Sequence, residues 1–445
     1  MFSEAIETAT TDKVIAAPDP DHGVGYSSTS KHKDDAIVHA HRHVQPMPRQ
    51  FNWISALGLG FSITNSWVGY LSCFGQNLAY GGAQACIFSL VAAFMVQVIV
   101  TLGLAELASA FPSSGGQYHF CYILSPDRTK RYSAFVVGWL SILAWWVVTY
   151  VSLPSFEPVR GTATHTLQLL RPFPRCRLHQ WNCKFLSSMI HICEELPQPG
   201  RRVPQVMIMT LAIGAVTSIS LFVALMFFVD DIDAVRDASL PSLELVYQIT
   251  GNRRITLGLS IILAIIYAAS LPSQWVTCGR IAWAFSRDNG LPFPEYFSQI
   301  SKTFNFPVHT TIAAFLFTSL YGLLYLASTT AFNSIITSAV LFLNITYTVP
   351  QGILLSSGRS SMPKRYLNLG WAGYFCNGFA VVWIVIQGVL TCLPPDPEVT
   401  LGSMNYVCVI LVGVFLVINL LWVAVGRKRF SGPDIDWGVV KTGQR

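Results

Sequence analysis

Charged residues are scarce in this sequence: only 12% of its 445 residues are Asp, Glu, Lys or Arg, against about 25% in an average soluble domain. Hydrophobic residues make up 52%. A soluble protein of this length needs far more charge to cover its surface, whereas lipid tails solvate apolar side chains. The composition therefore excludes an ordinary soluble domain and indicates an integral membrane protein. The net charge of +6 is small for the length, and we expect the lipid bilayer, not a nucleic acid, as the partner.

The motifs of an ATP-driven pump, a zinc site or a metalloprotease are also missing. There is no G-x-x-x-x-G-K-[ST] phosphate loop, so transport would draw its energy from an ion gradient. The ten cysteines form neither a C-x-x-C pair nor the short, even spacing of a disulfide framework. His191-Ile-Cys-Glu194-Glu195 resembles half of the H-x-x-E-H motif, but Glu195 stands where the second histidine is required. We therefore expect no enzyme activity, no cofactor and no bound metal.

The first fifty residues are polar and lack the basic and apolar regions of a signal peptide. His39, His41 and His43 could bind a metal, but alternating histidines without a fold make a weak, unselective site. We interpret 1–50 as a disordered tail. Because this tail is basic, we expect it in the cytosol.

Nine runs are apolar enough to cross a bilayer as helices, which takes about 20 apolar residues. They are 51–72, 85–105, 132–153, 205–229, 255–279, 309–327, 331–356, 371–393 and 404–425. Lys and Arg collect on the cytosolic side of membrane proteins. Basic loops at 106–131, 280–308 and 357–370 alternate with loops that we assign to the outside, at 73–84, 230–254, 327–331 and 394–403. The C-terminal tail, 426–445, carries three consecutive basic residues at 427–429. Both termini are therefore predicted to be cytosolic.

This alternation fails in one segment, 154–204. The run 132–153 should exit outside, whereas 205–229 should start inside because Arg201 and Arg202 precede it. An odd number of crossings must lie between, yet the part of the segment before Arg201 offers five Arg and Lys residues and several prolines instead. Each Arg or Lys at mid-bilayer costs about 2.5–3.5 kcal/mol, and proline removes a helix donor. We infer that one or three helices are missing, as a mis-spliced exon or a shifted reading frame would cause. A soluble insertion is the alternative, although it would not restore the alternation.

Small and polar residues interrupt the first apolar run. The interruption reads Gly58-Leu-Gly60-Phe-Ser-Ile-Thr64-Asn65-Ser66-Trp67-Val-Gly69. In many secondary transporters such a helix is unwound, and its free backbone groups bind substrate or ion. Gly60, Thr64, Asn65 and Ser66 are therefore candidate substrate ligands. Close packing of helices through small residues is the alternative.

Glu106, Trp145 and Trp275 are further candidates, and each has a structural and a functional interpretation. Glu106 lies at a membrane boundary, where an acidic residue usually has a partner or a role, so it is either structural or part of a gate. Trp145 and Trp275, the latter beside Pro272, offer flat faces that could hold a quaternary ammonium group. Aromatic packing or anchoring at the interface is the commoner role of such tryptophans.

These motifs together resemble the amino acid–polyamine–organocation superfamily, and most closely its fungal amino acid/choline/GABA permeases. The residues that carry the resemblance are Thr64-Asn65-Ser66-Trp67, Glu106-Leu-Ala-Ser-Ala-Phe-Pro-Ser-Ser-Gly-Gly-Gln-Tyr118, His191-Ile-Cys-Glu-Glu-Leu-Pro-Gln-Pro199, Leu271-Pro-Ser-Gln-Trp275, Arg280, Ser286-Arg-Asp-Asn-Gly290 and Ser431-Gly-Pro433. The resemblance implies twelve helices, ten of them in two inverted five-helix repeats, with substrate between the unwound centres of helices one and six. This chain would lack helices four, five and the first part of six.

The resemblance and the charge pattern together predict five segments. They are a cytosolic tail at 1–50, helices one to three at 51–153, an atypical basic segment at 154–190 replacing helices four to six, helices seven to twelve with a preceding loop at 191–425, and a cytosolic tail at 426–445. Glu194 and Glu195 then follow helix six and join Glu106 as candidate gating or coupling residues.

The resemblance implies a permease, a multi-pass all-α protein of the fungal plasma or vacuolar membrane, working by alternating access. Its expected substrate is an amino acid or an amine such as GABA, choline or a polyamine, and the proton is the expected coupling ion. Two alternatives stay open. The chain could be a truncated product that does not transport, or a membrane receptor that senses a solute.

The break in charge alternation predicts a longer message. Sequencing the transcripts across the codons for 150–195 should reveal a main message that encodes about 80–100 further residues, because three helices of about 20 residues need that length with their loops. The added residues should contain apolar runs. A main message identical to this sequence would refute the prediction and make the broken alternation a property of the protein itself.

Overall fold

The computed structural model describes residues 51–151, 189–238, 241–327, 329–393 and 404–434, which are helical and joined by short loops. The α-helices are α1 Trp53–Thr64, α2 Ser66–Ala110, α3 Gln117–Leu124, α4 Lys130–Val151, α5 Pro199–Phe227, α6 Ile232–Asp237, α7 Pro241–Thr250, α8 Arg253–Arg287, α9 Pro294–Phe297, α10 Val308–Ala327, α11 Thr329–Ser357, α12 Trp371–Cys392, α13 Val407–Leu421 and α14 Arg427–Arg429. A 3₁₀ helix, Ile190–Glu195, precedes α5, and a single π-turn joins α13 to α14.

Seven helices within the described residues are long and apolar enough to cross a membrane. They contain or closely overlap seven of the nine predicted runs. The run 309–327 coincides with a shorter apolar helix, Val308–Leu324. The run 51–72 is divided between α1 and the start of α2. The all-α membrane architecture is therefore confirmed, whereas the total of nine spans stays a prediction. The tail at 1–50 and most of the segment 154–190 lie outside the described residues.

The charge pattern predicts a loop at 73–84, and this prediction is wrong. The backbone of α2 is helical through this stretch and is interrupted at Gly82, where φ is +67°. Glycine adopts this conformation without the steric penalty that a Cβ brings. The stretch contains neither proline nor a charged residue, so the chain kinks instead of leaving the helix.

The loops that are rich in Lys and Arg meet at one end of the helical bundle. Arg131 Nε donates to the carbonyl of Phe430 at 2.9 Å, and Ser109 Oγ donates to the carbonyl of Gly200 at 2.7 Å and accepts from the backbone N–H of Leu367 at 3.1 Å. We call this the basic end, and it comprises 109–131, 189–202, 280–308, 358–370 and 427–434. Both α4 and α5 begin here, so the two helices start from the same side of the bundle.

Phe285 is the centre of an aromatic cluster that holds the basic end together. The centroids of the Tyr118, Phe135 and Phe430 rings lie 5.2, 5.9 and 5.5 Å from that of Phe285. A Cβ at Gly138 on α4 would collide with the Phe285 ring. Because interiors are close-packed, this fully buried ring has little room to move. Glycine at 138 therefore sets the distance between α4 and α8.

Replacing Gly138 by Ala should lower the melting temperature of the detergent-solubilised protein. Overpacking a core site costs about 1–3 kcal/mol. Gly378→Ala on α12 is the matched control, because a Cβ there meets nothing within 4 Å and alanine is the better helix former. It should leave the melting temperature unchanged or raise it. Equal melting temperatures for Gly138→Ala and the unchanged protein would contradict the packing argument.

Candidate functional site

The first membrane run is broken at Asn65, between α1 and α2. Asn65 has φ 39° and ψ 45°, in the left-handed region. Its N–H donates to the carbonyl of Phe61 in the last turn of α1, and its carbonyl accepts from the N–H of Gly69 in the first turn of α2. Asn is among the few residues that tolerate this conformation. The break comes where the sequence has a run of small and polar residues, and it leaves two helix ends facing each other in the bundle.

Two other helices pack against this break through small residues. A Cβ on Gly60 would lie 3.2 Å from Met189 Sδ and 3.2 Å from Thr210 Oγ1 on α5. A Cβ on Gly214, also on α5, would lie 2.7 Å from Ser66 Oγ. On the other side Ser273 Oγ of α8 donates to Ser62 Oγ at 3.2 Å. The break is therefore enclosed by α5 and α8.

The polar groups at the break are buried and incompletely paired. Thr64, Asn65 and Ser66 are 1%, 5% and 4% exposed. Thr64 Oγ1 donates to the carbonyl of Gly60, but within the described part of the chain Asn65 Nδ2 and Ser66 Oγ have no hydrogen-bond partner. Leaving a buried polar group unpaired costs about 1–3 kcal/mol. Asn65 Nδ2 and Ser66 Oγ are therefore free to bind the polar atoms of a ligand.

Trp145 and Trp275 contact residues other than those at the break, and their part in substrate binding stays a prediction. Trp145 is fully buried, and its carbonyl accepts from Thr149 on the same helix and from the thiol of Cys278 on α8. Trp275 packs edge-to-face on Phe315 of α10, with 5.6 Å between centroids, and Phe315 is half-exposed on the outer surface. These contacts are those of packing residues.

Glu106 lies at the basic end, where its carboxylate is fully buried. It pairs with Arg359 and, at 2.6 Å, with Arg365. The backbone N–H of Leu369 also donates to Glu106 Oε1 at 3.2 Å. This carboxylate therefore ties the end of α2 to the loop that leads into α12.

Glu194 and Glu195 bind two different parts of the basic end. Glu194 Oε1 accepts from the N–H and hydroxyl of Ser114 at 3.1 and 2.5 Å and lies 3.5 Å from Arg287 Nη2. Glu195 forms a two-pronged pair with Arg280, at 2.5 Å from Nε and 2.8 Å from Nη2. Because α8 carries both arginines, the two glutamates fasten the chain before α5 to α8.

Asp288 and His119 form a third buried polar group that the sequence analysis missed. Asp288 Oδ2 accepts from Tyr118 Oη at 2.9 Å and lies 2.8 Å from His119 Nε2. His119 Nδ1 in turn contacts Ser113. The signal was present, since Ser286-Arg-Asp-Asn-Gly290 and Pro-Ser-Ser-Gly-Gly-Gln-Tyr118 both carry the family resemblance, but nothing in the sequence pairs one motif with the other.

His191 faces the same loop and is held neutral. Its Nδ1–H donates to the carbonyl of Ser114 at 2.8 Å. The pKa of His191 is lowered to about 4, mainly by burial; the hydrogen bond to the Ser114 carbonyl opposes this shift, and the charge of His119 adds to it. At neutral pH this imidazole carries no charge. Its role is to hold the loop after α2, and the neighbouring Glu194 and Glu195 are occupied by the pairs described above.

Residues 179–415, more than half of the chain, match the family model described as amino acid permease. The chain belongs to the amino acid permease family. Membership indicates a membrane transporter and not an enzyme. The all-helical architecture with seven apolar helices of membrane-spanning length fits this transporter fold.

Several full-length relatives of this permease are found among fungal proteins. The choline transporter of Saccharomyces cerevisiae is 28% identical over 470 residues, which cover 87% of this chain and 83% of that protein. The GABA-specific permease of the same organism is 23% identical over 505 residues, covering 92% and 87%. Among solved structures, a manganese transporter mutant of Eremococcus coleocola is 14% identical with a TM-score of 0.42 and covers 92% of this chain and 97% of its own.

The alignments with the two yeast relatives are longer than the parts of the permease that they cover. For the choline transporter, 87% of 445 residues is about 387, against 470 aligned positions, which leaves about 83 positions opposite gaps in this chain. For the GABA-specific permease, 92% is about 409 against 505, which leaves about 96. Both relatives therefore carry additional residues inside the aligned region.

Glu195→Gln should destabilise the permease, because it leaves the buried Arg280 without its countercharge. Breaking a buried ion pair costs about 3–5 kcal/mol, and the melting temperature in detergent should fall. The double variant with Arg280→Gln should recover part of the loss, since the uncompensated charge is gone. Asp127→Asn, which breaks the exposed pair with Lys130, should leave the melting temperature unchanged. An unchanged melting temperature for Glu195→Gln would show that this pair does not hold the basic end.

Proposed function

We propose that this permease is a secondary active, proton-coupled transporter of an amino acid or a related amine such as GABA, choline or a polyamine. The observation that carries the proposal is the break at Asn65, where two buried polar side chains without a partner among the described residues lie between the ends of two helices. The relatives named for choline and GABA transport support the substrate class.

The break suits a molecule that carries both a positive and a negative charge. The start of α2 has unpaired N–H groups and a partial positive charge, which favours a carboxylate. The end of α1 has carbonyls and a partial negative charge, which favours an amine. In this proposal Asn65 Nδ2 and Ser66 Oγ donate to the substrate, and Gly60 allows α5 to approach closely.

The basic end would serve as the cytosolic gate. Glu106, Glu194 and Glu195 each pair with arginines on another element, so opening this end must separate charges or move these elements together. In alternating access, one helix bundle rocks against another around a central site. We therefore assign these carboxylates to gating or coupling. The Lys and Arg content of the loops supports a cytosolic location for this end, in the plasma or vacuolar membrane.

A specific observation favours a second candidate function, that of a product which does not transport. The internal gaps of about 83 and 96 positions match the length expected for missing central helices. A chain without helix six would lack one half of the site. A solute-sensing receptor is the third reading, in which binding occurs without movement of the solute.

Uptake into proteoliposomes separates these readings. The purified chain is reconstituted, an inward proton gradient is imposed, and uptake of radiolabelled choline, GABA and spermidine is measured with and without a protonophore. Uptake that collapses with the gradient supports the proposal. Uptake that ignores the gradient refutes proton coupling. Binding of a solute without uptake would favour the receptor, and neither binding nor uptake would favour the non-transporting product.

Asn65→Ala should weaken substrate uptake or binding by about tenfold or more, because one charge-assisted hydrogen bond contributes about 1.5–3 kcal/mol. The assay is the proteoliposome measurement, or a binding titration if the chain only binds. Asn377→Ala is the matched control. Asn377 on α12 is fully buried and its side chain lacks a partner among the described residues, but it lies away from the break. Unchanged affinity and rate for Asn65→Ala would exclude Asn65 from the site.

A further inference from the structure

Two cysteines meet at the end of the bundle opposite the basic end. Cys392 is the last residue of α12, and Cys408 is the second residue of α13. Helix α12 begins directly after the loop 358–370 of the basic end, and α13 leads back to 427–434, so the end of α12 and the start of α13 lie on the far side. There the thiols of Cys392 and Cys408 are neighbours, close enough to influence each other electrostatically.

Asn405 fastens the backbone around this pair. Its Nδ2 donates to the carbonyl of Thr391 at 2.6 Å and to that of Leu393 at 2.9 Å. Its Oδ1 accepts from the N–H of Val407 at 3.2 Å. The residues on either side of Cys392 are thus held against the turn that enters α13. The proximity of the thiols follows from this fixed backbone and does not depend on their contact alone.

The accessibility of these thiols differs from that of the other described cysteines. Cys408 is exposed and Cys392 is half-buried, whereas the remaining five described cysteines are buried. An oxidant must reach a thiol before the two can react, so an exposed cysteine is more reactive than a buried one. Because Cys408 is the second residue of α13, at the end of the apolar helix, an oxidant at that membrane surface meets it first, and Cys392 lies beside it to complete the reaction.

We propose that Cys392 and Cys408 form a reversible intramolecular disulfide that ties α12 to α13 on the far side of the membrane. The oxidant is a small disulfide such as oxidised glutathione. The thiolate of Cys408 attacks it, forming a mixed disulfide and releasing one glutathione thiol. The thiolate of Cys392 then attacks the Cys408 sulfur and releases the second. The two cysteines lose two protons and two electrons, and one glutathione disulfide becomes two thiols.

The predicted orientation agrees with this chemistry. The charge pattern assigns 394–403 to the side opposite the cytosol, which in the secretory pathway and at the cell surface is the oxidising side. The bond would close a short loop between the last two membrane helices. Neither cysteine lies on α1 or α2, the two helices that form the break at Asn65, so the bond does not require the proposed binding site.

Cyanogen bromide mapping tests the bond on the full chain. The protein is purified reduced in detergent, incubated with oxidised glutathione, quenched with N-ethylmaleimide and cleaved. Cleavage after Met362 and Met404 gives the fragments 363–404 and 405–445, and Cys408 is the only cysteine of the second. We expect the two fragments to remain joined and to separate on reduction. Trypsin would not serve, because 366–426 contains neither Lys nor Arg.

Matched variants identify the partner of Cys408. Cys376→Ser removes the other cysteine of the fragment 363–404 and should leave the two fragments joined. Cys392→Ser should separate them. The proposal is overturned if 405–445 is recovered alone, carrying either maleimide or one glutathione, if it is joined to any other fragment, or if it stays joined to 363–404 in the Cys392→Ser variant.

Discussion

A carboxylate that leaves water must find a cation or several donors, and this requirement organises the basic end of the permease. Three glutamates are buried there, and each finds its partners on a distant part of the chain: Glu106 on the loop before α12, and Glu194 and Glu195 on α8. Replacing such pairs by apolar residues is often neutral for stability. Their presence at the end of a transporter bundle is easier to understand as a set of contacts that can be made and separated.

Helix α1 connects one of these pairs, Glu195–Arg280, with the candidate binding site. The backbone N–H of Phe51, just before this helix, donates to the carbonyl of Glu195 at 3.4 Å, and Arg280 lies over the Phe51 ring at 5.6 Å. The other end of α1 is the break at Asn65. A helix of twelve residues therefore has its start against the Glu195–Arg280 pair and its end at the polar break. Any movement of α1 that changes the break also changes the surroundings of that pair.

The features that could be read from the sequence are those encoded locally. Length and apolar composition identified the membrane helices, because a bilayer imposes both. The polar run around Asn65 predicted an interrupted helix, because few residue types tolerate a left-handed backbone. The partners of Glu106 could not be predicted, since Arg359 lies about 250 residues away. The contact of Trp275 with Phe315 could not be predicted for the same reason, since the two residues lie 40 positions apart on different helices. The prediction of a loop at 73–84 was wrong because the charge pattern shows which side of the membrane a segment lies on, and not whether that segment is a loop or a kinked helix.

The length of α8 has a consequence for the membrane itself. Its 35 residues span about 52 Å at 1.5 Å per residue, whereas the hydrocarbon core is about 30 Å thick. The helix must tilt or project beyond the core. Arg280 and Arg287 lie in its last turns, so projection at that end brings the ion pairs to the level of the lipid headgroups. Bilayer thickness and headgroup charge thereby become part of the environment of the gate, and the tilt of one helix connects them to it.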